Sequence, residues 1–102
     1  MSRMEKIQAM LARDPNDVFL HFSLGMEYVQ AGKPDQAVAQ FKQVLELDPR
    51  YIAAYPQQAN ALIGMNRKEE AKVVLKQGID VAGKVGDRHA ADNMSNMLGL
   101  IN

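Results

Sequence analysis

Two Asp-Pro pairs, Asp14-Pro15 and Asp48-Pro49, stand 34 residues apart, and the chain between and beyond them overlays itself at that step. A fixed period of this length marks supersecondary units stacked on one another, because one such unit cannot bury its apolar face alone. Stacked arrays present extended surfaces rather than closed clefts. The period therefore points to binding of another macromolecule and away from an enzyme.

At 102 residues the chain makes one small domain, near the size at which a single core suffices. Twelve basic and twelve acidic side chains cancel, and neither sign forms a run of five. Without a basic stripe the chain offers little to a phosphate backbone, so no nucleic-acid partner is expected. With no cysteine there is neither a disulfide nor a thiolate metal site, a composition that fits a reducing compartment. The segment Met1 to Lys6 turns polar at once and carries no secretory apolar core. No stretch approaches the ~20 apolar residues of a spanning helix. The expectation is a soluble, cytoplasmic domain with no membrane partner.

Apolar residues recur at helical spacing, and the breaks between helices are well marked. Met4, Ile7, Met10 and Leu11 form one face of a first helix that stops before Asp14-Pro15-Asn16. Asp17 is placed to cap a second, from about Val18 to Ala31, closed by Gly32-Lys33-Pro34. Gly32 suits a left-handed C-terminal position and Pro34 a helical first turn. A third helix carries Ala37, Val38, Phe41, Val44, Leu45 and Leu47 and ends at Asp48-Pro49. The fourth is expected over roughly Tyr51 to Gly64, the fifth over Lys68 to Ala82. The loop Gly83-Lys84-Val85-Gly86 then leads to Asp87, a cap for a last helix through about Leu98. Pro56 lacks a backbone donor and deep in a helix costs roughly 3 kcal/mol or more. The fourth helix must therefore begin near Ile52 to Ala54 or kink. No segment alternates as a strand does, so the chain reads as all-α.

In the 34-residue register His21, Tyr55 and His89 coincide, as do Leu24 with Gln58, Gly25 with Ala59, and Tyr28 with Leu62. In the following helices Ala37 meets Ala71, Phe41 meets Leu75 and Leu45 meets Ile79. Glycine inside a helix costs about 1 kcal/mol relative to alanine, so Gly25 needs a reason, and close helix approach supplies one. The run His21, Leu24-Gly25, Tyr28, Ala37, Phe41 and Pro49 resembles the tetratricopeptide repeat. It departs from that pattern at His21, where the family has tryptophan, and at Gly83, where the second copy lacks its terminal proline. The resemblance implies a right-handed superhelical solenoid of about six antiparallel helices. Residues 1–17 then form an N-terminal half-repeat, 18–51 and 52–85 two repeats, and 86–102 a closing helix. Asp92 and Asn96 give that last helix the polar outer face a terminal cap needs.

The resemblance also implies a concave groove, lined by the first helix of each pair, that takes a peptide or helix of a partner protein. Carried onto this sequence, the lining is Phe19, Phe22, Ser23, Met26, Val29 and Gln30 in the first pair. It continues with Ala53, Gln57, Asn60 and Ile63, and then with Ala90, Ala91, Met94 and Met97. Steps of three and four place 19, 22, 26 and 29 on one face, as they do 60 with 63 and 90, 94 with 97. The second helix is apolar nearly all round, so it is covered on more than one side. Its repeat contacts leave Phe19, Phe22, Met26 and Val29 over. Three readings of that surplus stay open: core covered by the first helix or by the tail Gly99 to Asn102, a Met- and Phe-lined groove for an apolar segment, or a homodimer face.

The terminal-carboxylate clamp of some family members, built of lysine, asparagine and arginine, finds Phe22, Met26, Ala53 and Gln57 at the matching places and no cation. His21 and His89 share a repeat position and read as packing residues, two repeats apart and too distant for one metal. Glu69-Glu70 opens a helix, where acids favour the positive end of the macrodipole. Gly83-x-x-Gly86 lacks the strand and lysine of a phosphate-binding loop. No catalytic residues, metal or cofactor are expected.

Overall fold

The computed structural model describes residues 1–101 as six helices: α1 (Arg3–Arg13), α2 (Val18–Gln30), α3 (Pro34–Leu47), α4 (Ala54–Gly64), α5 (Lys68–Val85) and α6 (Arg88–Leu100). Among the described residues there is no strand. Each helix packs chiefly on its neighbours in sequence, α1 on α2, α2 on α3 and so on to α6, and the whole measures 40 × 29 × 18 Å. This sequential packing is what a stacked array requires.

Local chemistry fixes the helix ends. Ser2 and Glu5 form a reciprocal capping box at the start of α1, each side chain bonded to the other's backbone N–H at 3.1 Å. Asp17 accepts from the Leu20 N–H and Asp87 from the Ala90 N–H, both at 3.0 Å. Pro34 occupies the first turn of α3. Gly32 has φ 72°, and its counterpart one period later, Asn66, has φ 59°. Asparagine is the side chain that best tolerates this left-handed turn after glycine, so one connection serves both helix pairs.

One boundary falls where Pro56 required it, and two differ from the sequence expectation. The fourth helix starts at Ala54, which leaves Pro56 third in the helix, where an N–H has no intrahelical acceptor to lose. The fifth runs a turn further, to Val85, because Gly83 keeps helical backbone and only Gly86, at φ 80°, ends it. The Asp87 N–H then bonds back to the Ala82 carbonyl at 2.8 Å. The sixth reaches Leu100, so of the expected tail only Ile101 follows it; Asn102 lies outside the described residues.

Close approaches of α2 to α3 and of α4 and α6 to α5 organise the core. A Cβ on Gly25 would sit 2.6 Å from Phe41 Cε1, and Phe41 is fully buried. Gly78 holds α5 equally close to its neighbours: a Cβ there would meet Met94 Sδ at 2.5 Å and Tyr55 Cβ at 2.7 Å. Around these contacts Val38, Tyr55, Leu62, Leu75 and Met94 form one buried cluster with the alanines Ala59, Ala61, Ala71 and Ala82. Ile7 is the buried residue of α1. Met10, expected on the same face, is 47% exposed, because α1 is covered mainly from the α2 side.

Candidate interaction surface

Helix α2 is pinned on one face and open on another. Leu24 and Gly25 are buried, and Phe22 packs its ring on Phe41 at 5.6 Å and on Tyr51 at 5.1 Å. His21 ties the helix to its surroundings. Its Nε2 donates to the Pro15 carbonyl at 2.7 Å and its Nδ1 lies 2.8 Å from the Gln40 side-chain amide. His89 differs from the packing role expected of it: it is exposed, with Nε2 3.3 Å from the Asn93 amide.

On the open face Phe19, Phe22, Ser23, Met26 and Gln30 line a single depression of about 420 Å³ together with Arg3 and Glu27. Phe19 is 65% exposed, whereas Phe22, Ser23 and Met26 are half-buried. Val29 is 40% exposed beyond its edge. Arg3 of α1 reaches across to Glu27 of α2 at 3.3 Å. The two residues belong to different helices, so no spacing in the sequence announces the pair. Among the described residues the end of α6 does not join this depression. Leu100 and Ile101 instead line a second one, about 230 Å³, with Asn60, Ile63, Lys68 and Met97.

The remaining residues predicted for the groove line neither of these two depressions. Gln57 is half-buried, Ala53 is exposed, and Ala90 and Ala91 pack against the edge of the core. Met94 is a correction. It is 1% exposed, its sulfur filling the space that Gly78 leaves on α5, and it is core rather than surface. Residues 94 and 97 are near neighbours on one helix, yet only Met97 reaches a depression.

Among the described residues no group of three or more His, Cys, Asp or Glu side chains is placed to hold a metal ion. Among those residues, too, no helix is long and apolar enough to cross a membrane. The other charged contacts lie on the surface: Arg67 holds Glu70 through two hydrogen bonds of 2.9 and 2.6 Å, which keep the Glu70 carboxyl below its ordinary range. Lys72–Glu69 and Lys84–Asp80 are further pairs along α5.

Residues 28–91, more than half of the chain, match the tetratricopeptide-repeat family model. The chain is a tetratricopeptide-repeat protein. Its relatives include a TPR repeat-containing protein of Pseudomonas aeruginosa, 28% identical over 95 residues that span 93% of this chain and 90% of the relative. A solution structure from Bordetella parapertussis superimposes with a TM-score of 0.83 at 26% identity, over 96% of this chain and 85% of that one. The TPR2B domain of yeast Sti1, in complex with pHsp70, superimposes with a TM-score of 0.86 at 19% identity, over 93% and 76% respectively. At that identity the last likeness concerns the fold alone. Tetratricopeptide repeats are generally protein–protein interaction modules, which sets the class of function for this repeat protein.

Proposed function

We propose that this tetratricopeptide-repeat chain binds an apolar or amphipathic segment of a partner polypeptide on the open face of α2, with the depression between α4 and α6 extending the same surface. The observation that carries the reading is Phe19. An aromatic side chain left 65% exposed at the rim of a depression offers a large apolar area at low conformational cost, the kind of anchor that dominates interfaces. Half-buried Met26 beside it gives adaptable contacts, and Ser23 and Gln30 supply hydrogen-bonding groups. Residues 18–51 and 52–85 act as the two repeats, with 1–17 as a half-unit and 86–102 as the closing helix. Membership of a family that generally serves as protein–protein interaction modules supports a polypeptide ligand. The absence of a cation at the clamp positions argues against recognition through a terminal carboxylate. No residue constellation supports an enzymatic role.

Phe19→Glu tests the reading better than a change at Phe22, whose ring also serves the core. Affinity capture from the native cell, identified by mass spectrometry, should lose specific partners in the variant while its circular dichroism melt is unchanged. An identical partner set with both proteins sinks the proposal. A dimer at micromolar concentration that Phe19→Glu converts to monomer assigns the face to self-association instead.

A further inference from the structure

Gln58 occupies a position where the preceding repeat keeps a leucine. Its counterpart one period earlier, Leu24, is 5% exposed, and Gln58 itself is 4% exposed. The side-chain oxygen is fully buried and has no hydrogen-bond partner. An unpaired acceptor in such a place loses its hydration without compensation, so a leucine there suits the fold better. Residues that break a local rule at the expense of stability tend to mark functional sites. The same glutamine borders a depression of about 430 Å³ between α3 and α5, walled by Leu45, Leu62, Val73 and Val74. Val73 is 55% exposed at its opening. Lys42, Glu46 and Glu70 stand at its border. Arg67 already holds Glu70, which leaves one free charge of each sign and selects no ion. This site is separate from the α2 face.

Three features specify the occupant. The aliphatic walls call for an apolar body, the mixed border for an uncharged one, and the orphan oxygen for a hydrogen-bond donor. The indole of tryptophan combines these, with one N–H donor and no acceptor that burial would leave unpaired. A tyrosine phenol also brings a donor, but its smaller ring covers less of the aliphatic wall. These 102 residues contain no tryptophan, so the ring comes from outside them. We propose that the α3–α5 depression is a second binding site that takes a tryptophan side chain of a partner protein, its indole N–H donating to Gln58 Oε1. The entering ring parts the aliphatic side chains that cover the oxygen.

Titration of the full chain with N-acetyl-tryptophanamide, followed by ¹H–¹⁵N correlation spectra, tests this. Saturable shifts are expected at Leu45, Leu62, Val73, Val74 and the Gln58 side-chain amide. The 1-methylindole analogue, which lacks the donor, should bind about tenfold more weakly, the equivalent of one net hydrogen bond. Gln58→Leu should raise the melting temperature and bind both probes alike. The proposal is overturned if the shifts fall on α2 or are absent. It is equally overturned if methylation leaves the affinity unchanged, or if Gln58→Leu retains the preference for the unmethylated probe.

Discussion

The Tyr55 hydroxyl donates to the Pro49 carbonyl at 2.6 Å, across six residues of chain. One period earlier the same backbone group is met by a different side chain: His21 Nε2 donates to the Pro15 carbonyl at 2.7 Å. The Asp-Pro pairs that reveal the period are thus also where each unit anchors its first helix. Proline gives up its own N–H and leaves a carbonyl for the helix to seize. In the third position His89 has no proline six residues before it and turns to Asn93 instead. The contact marks the two units that carry the turn.

Removing one of these anchors without changing shape has a predictable cost. Tyr55→Phe keeps the buried ring and deletes only the donor, leaving the Pro49 carbonyl, at an exposed residue, to water. The expected loss is about 1 kcal/mol, in the ordinary range for a single hydrogen bond. For a domain of this size that lowers the melting temperature by roughly 4–8 °C. A thermal melt of the variant beside the parent measures it.

The same phenol makes stability fall in alkali. Burial raises the Tyr55 pKa above its ordinary value, and the nearby Asp48 carboxylate adds to the rise. Tyr51 is raised by burial, then by Asp17 and Asp48. In the unfolded chain both phenols ionise near pH 10. Above that pH the folded state still holds protons that the unfolded state has released, so deprotonation favours unfolding. The contribution is whole below about pH 10 and is lost as pH climbs through the folded values. Melting temperatures between pH 9 and 11 should decline, and the double variant Tyr51→Phe, Tyr55→Phe should flatten the decline relative to its own value at pH 8.

Alanine should act in opposite directions at two helical glycines. At Gly25 the new methyl meets the Phe41 ring at 2.6 Å, and Phe41 is enclosed on every side. Overpacking of this kind costs typically about 1–3 kcal/mol, and leucine there costs more. At Gly83, inside α5, a Cβ finds no neighbour within 4 Å. There only the backbone entropy changes, so Gly83→Ala should stabilise by roughly 0.5–1 kcal/mol. Urea melts of the two variants decide the matter. Equal signs would mean that the α2–α3 contact is looser than its geometry.

What the sequence made legible was what short-range chemistry dictates. The caps at Asp17 and Asp87, the left-handed Gly32 and the late start of α4 before Pro56 each follow from one or two residues. Gly25 is readable because glycine in a helix has few other reasons to be there. Gly83 and Gly86 defeat the same logic: either can end a helix, and only the positive φ at Gly86 separates them. The placement of Met94 was hidden for a longer-range reason. Its spacing from Met97 suggests a shared face, but the void that draws it inward belongs to Gly78 on another helix. Gln58 shows the converse, a polar residue that the register places in the core and the fold buries without a partner.

Phe19 and Phe22 lie three residues apart on one helix face, and their spacing alone gives them the same role. Their surroundings do not. Phe22 rests on Phe41 and Tyr51, rings brought in by α3 and by the turn that precedes α4. Phe19 has 65% of its surface in water. Truncating Phe22 to alanine therefore removes aromatic contacts and partly buried area, and should destabilise the domain by about 2–3 kcal/mol, below the range for a fully buried phenylalanine. Phe19→Ala should change stability by no more than about 0.5 kcal/mol, as substitutions away from packed features do. Parallel urea melts with a common m-value give both numbers. If Phe19→Ala proves as costly as Phe22→Ala, the ring is serving the fold and is no longer available as the anchor of a partner.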